Sequence, residues 1–298
     1  MTTRPSELLV RQRLRALAQM LPGARAGDVR AVHQARVATR RLREALPLIA
    51  SPKKGRKLQR EMRRLTRSLG PVRELDVALG MLDDLGAQRD VPRPAINALK
   101  QAVRDERGRL QRHLVKAVAR CDFDRLGKRA LAASRKHDAV VRRDGAAGRE
   151  RQLADARVRA AQRAERVREA IDNAAVIYLP DRLHDVRIAV KKLRYSMEII
   201  KELSGSRATA RILALKEAQD LLGHMHDFEV LIARARALQS SGKASNLRLS
   251  ADLDRLVRCL ETECRRLHGH YMAMRRRLLA ISDYAIDAAE PSRGASAA

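Results

Sequence analysis

Two segments of this chain set a histidine and several cations at helical spacing. Residues 32–49 read VHQARVATRRLREALPLI, and residues 183–200 read LHDVRIAVKKLRYSMEII. Aligned without gaps, His33 meets His184, Arg36 meets Arg187, Arg40 and Arg41 meet Lys191 and Lys192, and Arg43 meets Arg194. On a helix of ~3.6 residues per turn, His33, Arg36, Arg40 and Arg43 share one stripe, while Val32, Ala35, Ala38, Leu42, Leu46 and Ile49 take the opposite side. The second segment divides the same way. His184, Arg187, Lys191 and Arg194 form its stripe, and Leu183, Val186, Ala189, Val190, Leu193, Met197 and Ile200 form its apolar side. Arg41 and Lys192 lie at the stripe edges.

The chemistry such stripes support is the binding of a polyanion. Each phosphate oxygen accepts charge-assisted hydrogen bonds, from arginine as a planar fork and from lysine as a point charge. The ordinary reading of a basic stripe is a solvated face. Against it, like charges at i, i+3 and i+4 repel by a few tenths of a kcal/mol per pair, no interspersed glutamate relieves either stripe, and the pattern occurs twice. A histidine among cations loses its proton until an anion arrives, so His33 and His184 become donors on binding. The competing role for His184 is terminal, in the first turn of a helix capped by Asp181. A second basic run adds secondary contact candidates. Lys57, Arg60, Arg63, Arg64 and Arg67 either extend the anion track or keep the surface soluble, and Leu58, Met62, Leu65 and Leu69 form that helix's apolar side. Arg207, Arg211 and Lys216 are the thinner counterpart in the second half.

The elements that position these groups are helices. Apolar residues recur at three- and four-residue intervals almost throughout, and alternating β-branched runs are scarce, which predicts an all-α chain. Gly and Pro clusters predict helix ends near Pro22–Gly23, Ser51–Pro52, Gly70–Pro71, Val91–Pro92, Asp144–Gly145, Leu179–Pro180 and Ser204–Gly205. Downstream of each basic segment a second correspondence appears: LGPVRELDV at 69–77 matches LGHMHDFEV at 222–230 through Leu-Gly, Glu74 or Asp227, and Val77 or Val230. The alignment sets Glu44 against Tyr195 and Arg73 against His226. We read an internal duplication: a first helical bundle over 7–144, a second over 149–284, and a disordered tail over 285–298.

Composition bounds the partner. Of 298 residues, 63 are Lys or Arg and 35 are Asp or Glu, a formal charge of +28 that draws polyanions at long range. With no Trp, two Phe and four Tyr, the stacking platforms of single-strand nucleic-acid binders are missing. Three cysteines, an odd number, fit a reducing compartment such as the cytoplasm rather than a disulfide framework. Arginines interrupt residues 1–21, and nothing approaches the ~18 uncharged apolar residues of a membrane span, so a soluble protein without a membrane partner is expected. Oligomeric state is not legible. Metal binding is not expected, because the His-x-His pairs at 224/226 and 268/270 splay around a helix by about 200°. Glu261-Thr262-Glu263-Cys264-Arg265 is superficially similar to the E-x-E-x-K strand of triphosphate tunnel enzymes, but it sits in a helical pattern where residues two apart splay likewise. Glu74 and Asp227 are expected as ion-pair partners. No nucleophile with a base and no phosphate-cradling glycine loop is visible, so neither catalysis nor a cofactor is expected.

The paired H-x-x-R-x-x-x-[RK]-[RK]-[LI]-R segments, each followed by Leu-Gly, an acidic residue and Val, resemble the conserved histidine α-helical domain (CHAD) family over about residues 7–282. The resemblance implies two pseudo-symmetric, roughly four-helix bundles with a basic groove or pore, binding of inorganic polyphosphate, and association with polyphosphate granules. It implies that His33, Arg36, Arg40, Arg41, Arg43, His184, Arg187, Lys191, Lys192 and Arg194 meet the anion. Two other functions compete: a non-sequence-specific architectural binder of nucleic acid, whose stripes would contact backbone phosphates only, and an enzyme or accessory subunit of polyphosphate metabolism.

Overall fold

A computed structural model describes residues 5–49, 52–88, 90–205, 209–241 and 247–289. The described residues are all-α: α1 (Pro5–Ala26), α2 (Val29–Ile49), α3 (Pro52–Gly86), α4 (Arg93–Ala119), α5 (Phe123–Arg143), α6 (Gly145–Ala174), α7 (Pro180–Ser204), α8 (Thr209–Ser240) and α9 (Leu247–Asp287). The chain divides into two compact units, residues 1–140 with 230–260 and residues 141–229 with 261–298. One division falls beside the 144–148 break, and the others fall inside α8 and α9. Arg207 and residues 290–298 lie outside the described residues.

In the first unit α1 packs on α2, α2 on α3 and α3 on α4, and α4 returns to α1. The apolar sides read from periodicity form the core: Val32, Ala35, Ala38, Leu42 and Leu46 of α2 and Leu58, Met62, Leu65 and Leu69 of α3 are buried. Each fully buried leucine stabilises by ~2 kcal/mol. Asp138 of α5 accepts the backbone N–H groups of Ser6 and Glu7, at 3.3 and 2.9 Å, and so satisfies donors at the start of α1. In the second unit α6 packs on α7. Arg194 of α7 donates to Gln219 of α8 at 3.1 Å, Arg277 of α9 pairs with Glu217 of α8 at 3.0 Å, and Arg168 of α6 pairs with Asp283 of α9 at 3.3 Å.

Two of the expected helix ends are absent. α3 continues through Gly70–Pro71, where the exposed Pro71 lies between Leu69, Val72 and Leu75, all with no exposure. An interior proline costs ~3 kcal/mol; three buried apolar side chains at ~2 kcal/mol each outweigh it. α1 runs past Pro22–Gly23 because that glycine serves packing rather than a turn. A β-carbon at Gly23 would stand 2.7 Å from the Cβ of Ala31, so its absence lets α1 approach α2 closely. The turn comes four residues later, at Gly27, whose φ of 86° suits glycine, and Asp28 then caps α2 by accepting the Ala31 N–H at 2.6 Å. The α4–α5 turn at Arg120–Asp122, which carries neither Gly nor Pro, had no such signal in the sequence.

Candidate functional site

Each leading histidine is the fifth residue of its helix, His33 on α2 and His184 on α7. Asp181 does not cap α7. Leu179 holds the N-cap position and Pro180 opens the helix, because proline lacks an N–H where none is needed. Asp181 lies instead in the first turn, so His184 sits beyond the terminal position.

In the first unit His33 is half-buried on the side of α2 that meets α3. Its pKa is lowered by burial, then by the charges of Arg73 on α3 and Arg36 on its own helix. Arg36 crosses to α3 at Gly70, where a β-carbon would stand 3.5 Å from Arg36 Nη1. In the second unit Nδ1 of His184 stands 3.2 Å from Nδ1 of His226 on α8, with ring centroids 4.4 Å apart. At that distance one ring nitrogen donates and the other accepts. Arg187 crosses to α8 at Gly223, where a β-carbon would stand 3.6 Å from its Nε. That Nε is buried without a hydrogen-bond partner. His184 is held below its ordinary pKa by burial and then by Arg187 and Lys191, against a smaller upward pull from Asp185 and Asp181. His226 is lowered to about 4 by burial, Arg187, His184 and Lys191. Both rings are therefore neutral at pH 7.

The local arrangement repeats in a further detail. Arg13 of α1 donates to the Arg41 carbonyl at 2.8 Å, and Arg163 of α6 donates to the aligned Lys192 carbonyl at 2.9 Å. The sequence alignment had set Arg73 against His226 as a departure from symmetry. The structure places both beside the leading histidines, so the departure lies at the site itself. His226 was missed as a site residue because its partner is 42 residues away; its alignment with Arg73 was the available signal.

The expected stripe residues do not all converge. Lys191 joins the His184 group through its charge. Lys192 instead lines a cleft between α6 and α7 with Arg163, Arg166 and Arg182, and Arg41 is exposed at the stripe edge. The stripes are not free of carboxylates. Glu198, four residues on, pairs with Arg194 at 2.6 Å, and Glu44 lies 3.8 Å from Arg43. The i, i+4 spacing brings Glu198 onto the face of Arg194. Arg40 lies partly buried on α2. Ile200, expected on the core side, is only partly buried, and Ile199 is buried in its place.

The secondary candidates scatter. Arg60, Arg63 and Arg67 are exposed, while Lys57 and Arg64 line a cleft with α4 and α5. Arg211 lies 3.4 Å over the Tyr284 ring, and Lys216 pairs with Asp220 at 2.9 Å. The His-x-His pairs diverge: His224 stacks on Phe228 while His226 turns to His184, and His268 packs edge-on against Tyr178 while His270 is exposed. Among the described residues no group of three or more potential metal ligands occurs, and no helix is long and apolar enough to cross a membrane. Glu74 pairs with Arg234 at 3.5 Å, and Arg234 also pairs with Glu106 at 2.5 Å.

The sequence model of the CHAD domain matches residues 8–236. The solved CHAD domain of the plant Ricinus communis aligns over 96% of this chain and 90% of its own, with a TM-score of 0.57 and 20% identity. PptA from Streptomyces chartreusis aligns over 96% of this chain and 97% of its own, with a TM-score of 0.57 and 16% identity. At these identities the likeness is one of fold. No curated protein matches the chain.

Proposed function

The chain belongs to the CHAD-domain family, and from that premise we propose that it binds inorganic polyphosphate through its two histidine-led helices and catalyses no reaction. The observation that carries this reading is the concentration of positive charge on each histidine, from α2 and α3 in the first unit and from α7 in the second. Arg36 and Arg73 act on His33, and Arg187 and Lys191 act on the His184–His226 pair. Like charges set together raise the energy of the ligand-free protein, and a phosphate chain lowers it while supplying an acceptor for the buried Arg187 Nε. A phosphate polymer offers only backbone charge, which suits a site with cations and no stacking platform.

We read α1–α2–α3 and α6–α7–α8 as one unit built twice. The paired Arg–Gly crossings and the paired arginine-to-carbonyl bonds support that reading. A basic groove receiving the polymer and association with polyphosphate granules in the cytoplasm belong to the same proposal.

The test is a competition titration at fixed, near-physiological salt, because affinity for any polyanion falls steeply with salt. Labelled long-chain polyphosphate is displaced with unlabelled polyphosphate, duplex DNA or single-stranded RNA at matched phosphate concentration. Preferential displacement by polyphosphate is expected; equal displacement by DNA would make the protein a general polyanion binder. Incubating a polyphosphate ladder with the protein and Mg²⁺ checks the second half, and any shortening of the ladder would establish an enzyme.

A further inference from the structure

The first unit carries a second concentration of cations on the side of α3 turned away from α2. Arg64 precedes Arg73 by nine residues, which is about 180° around a helix, so it faces away from His33. There α3, the end of α4 and the start of α5 line a half-open cleft of about 550 Å³, within the ~300–1,000 Å³ of small-molecule sites. Lys57 and Arg64 reach it from α3, and Arg120 and Arg125 reach it from the α4–α5 turn.

Two carboxylates also line the cleft, and both are already engaged. Glu61 accepts from Arg129 Nη1 at 2.8 and 3.1 Å through its two oxygens. Asp122 accepts the backbone N–H of Arg125 at 2.9 Å and closes the first turn of α5. Among the described residues Lys57, Arg64, Arg120 and Arg125 form no ion pair. Leu65 and Leu126, both buried, floor the cleft, and no aromatic ring lines it.

Four exposed cations without ion-pair partners around a half-open cleft, beside a helix N-terminus, favour a small ligand dense in negative charge. The missing aromatic surface leaves a nucleobase without a stacking partner. We propose that this α3–α4–α5 cleft binds a short inorganic oligophosphate at a site separate from the histidine-led helices. The proposal stands on the cleft alone and does not require those helices to bind polyphosphate.

Cys121, half-buried in the cleft, is a built-in reporter. Its thiol is held above the ordinary value by burial, then by Glu61 and Asp122, so alkylation is followed at mildly alkaline pH by peptide mapping. Tripolyphosphate at about ten times its Kd should slow reaction at Cys121 about tenfold, the free-site fraction, and leave Cys259 unchanged. The double variant R64E/R125E, at two exposed positions, should abolish the protection while its thermal melt stays as in the parent. Calorimetric titration of the same two proteins should show that the variant loses a tripolyphosphate-binding step. Equal slowing at Cys121 and Cys259, protection that survives R64E/R125E, or an unchanged calorimetric titration overturns the proposal. ATP protecting where tripolyphosphate does not would also overturn it, since a nucleoside would then carry recognition. A separate variant, R36E/R187E, distinguishes the two sites: it should lose long-chain polyphosphate yet keep the protection of Cys121.

Discussion

Lowering the pH from 8 to 5 should tighten polyphosphate binding by about tenfold, through proton uptake at the His184–His226 pair. In the free protein His226 is held at about 4 by burial and by Arg187, His184 and Lys191. A phosphate oxygen arriving among those cations opposes their field and restores the imidazolium toward its ordinary 6.5. The bound state therefore binds more protons than the free state, and affinity rises as pH falls. Moving one histidine from about 4 to about 6.5 gives a gain of about 30-fold between pH 8 and 5. Burial, the largest cause of the lowering, persists in the complex and water screens the rest, which reduces this to about tenfold. The pair takes up one proton, because a second would set two N–H groups against each other across 3.2 Å. The assay is a competition titration with long-chain polyphosphate at constant ionic strength, on the parent and H226Q. The variant should show a flatter pH dependence. Affinity in the parent that is flat or falls as pH is lowered would refute the reasoning, because these histidines would then not meet the anion.

Charge reversal at Arg40 and Lys191 together should weaken polyphosphate binding at least roughly tenfold, whereas R112E, at an exposed position on α4, should change it less than about twofold; equal losses would mean that net charge alone drives binding. Removing Arg107 should cost about 3–5 kcal/mol of stability by denaturant titration, because the Asp76 carboxylate, fully buried and 2.5 Å from Arg107 Nε, would be left uncompensated. Arg107 also donates to the Gly27 carbonyl at 2.7 Å, so the α1–α2 turn should loosen in the same variant by hydrogen exchange. Gly23→Ala should destabilise by about 1–3 kcal/mol through overpacking against Ala31. Gly80→Ala, with nothing within 4 Å of the new carbon, should stabilise by about 0.5–1 kcal/mol by thermal melt.

The amino-acid sequence by itself determined the helical class, the strong positive charge, and the two amphipathic segments that begin at Val32 and Leu183. These are local properties. A 3.6-residue period sorts apolar from basic side chains within one helix whatever that helix packs against, and Leu42, Leu46, Leu193 and Val190 are buried as their spacing requires. What a stripe faces is not local. That His184 meets His226 rather than solvent, and that Arg36 and Arg187 cross at Gly70 and Gly223, depends on the register of one helix against another. Packing also decided between meanings of the same residue type. Gly23 permits a close helix approach while Gly27 makes the turn, although both are glycines within five residues of each other. It divided the cations of α3 as well, sending Arg73 to the histidine and Arg64 to the opposite cleft. Charge and periodicity fix which residues a helix can present, but only the angles and offsets at which helices pack decide which of them meet.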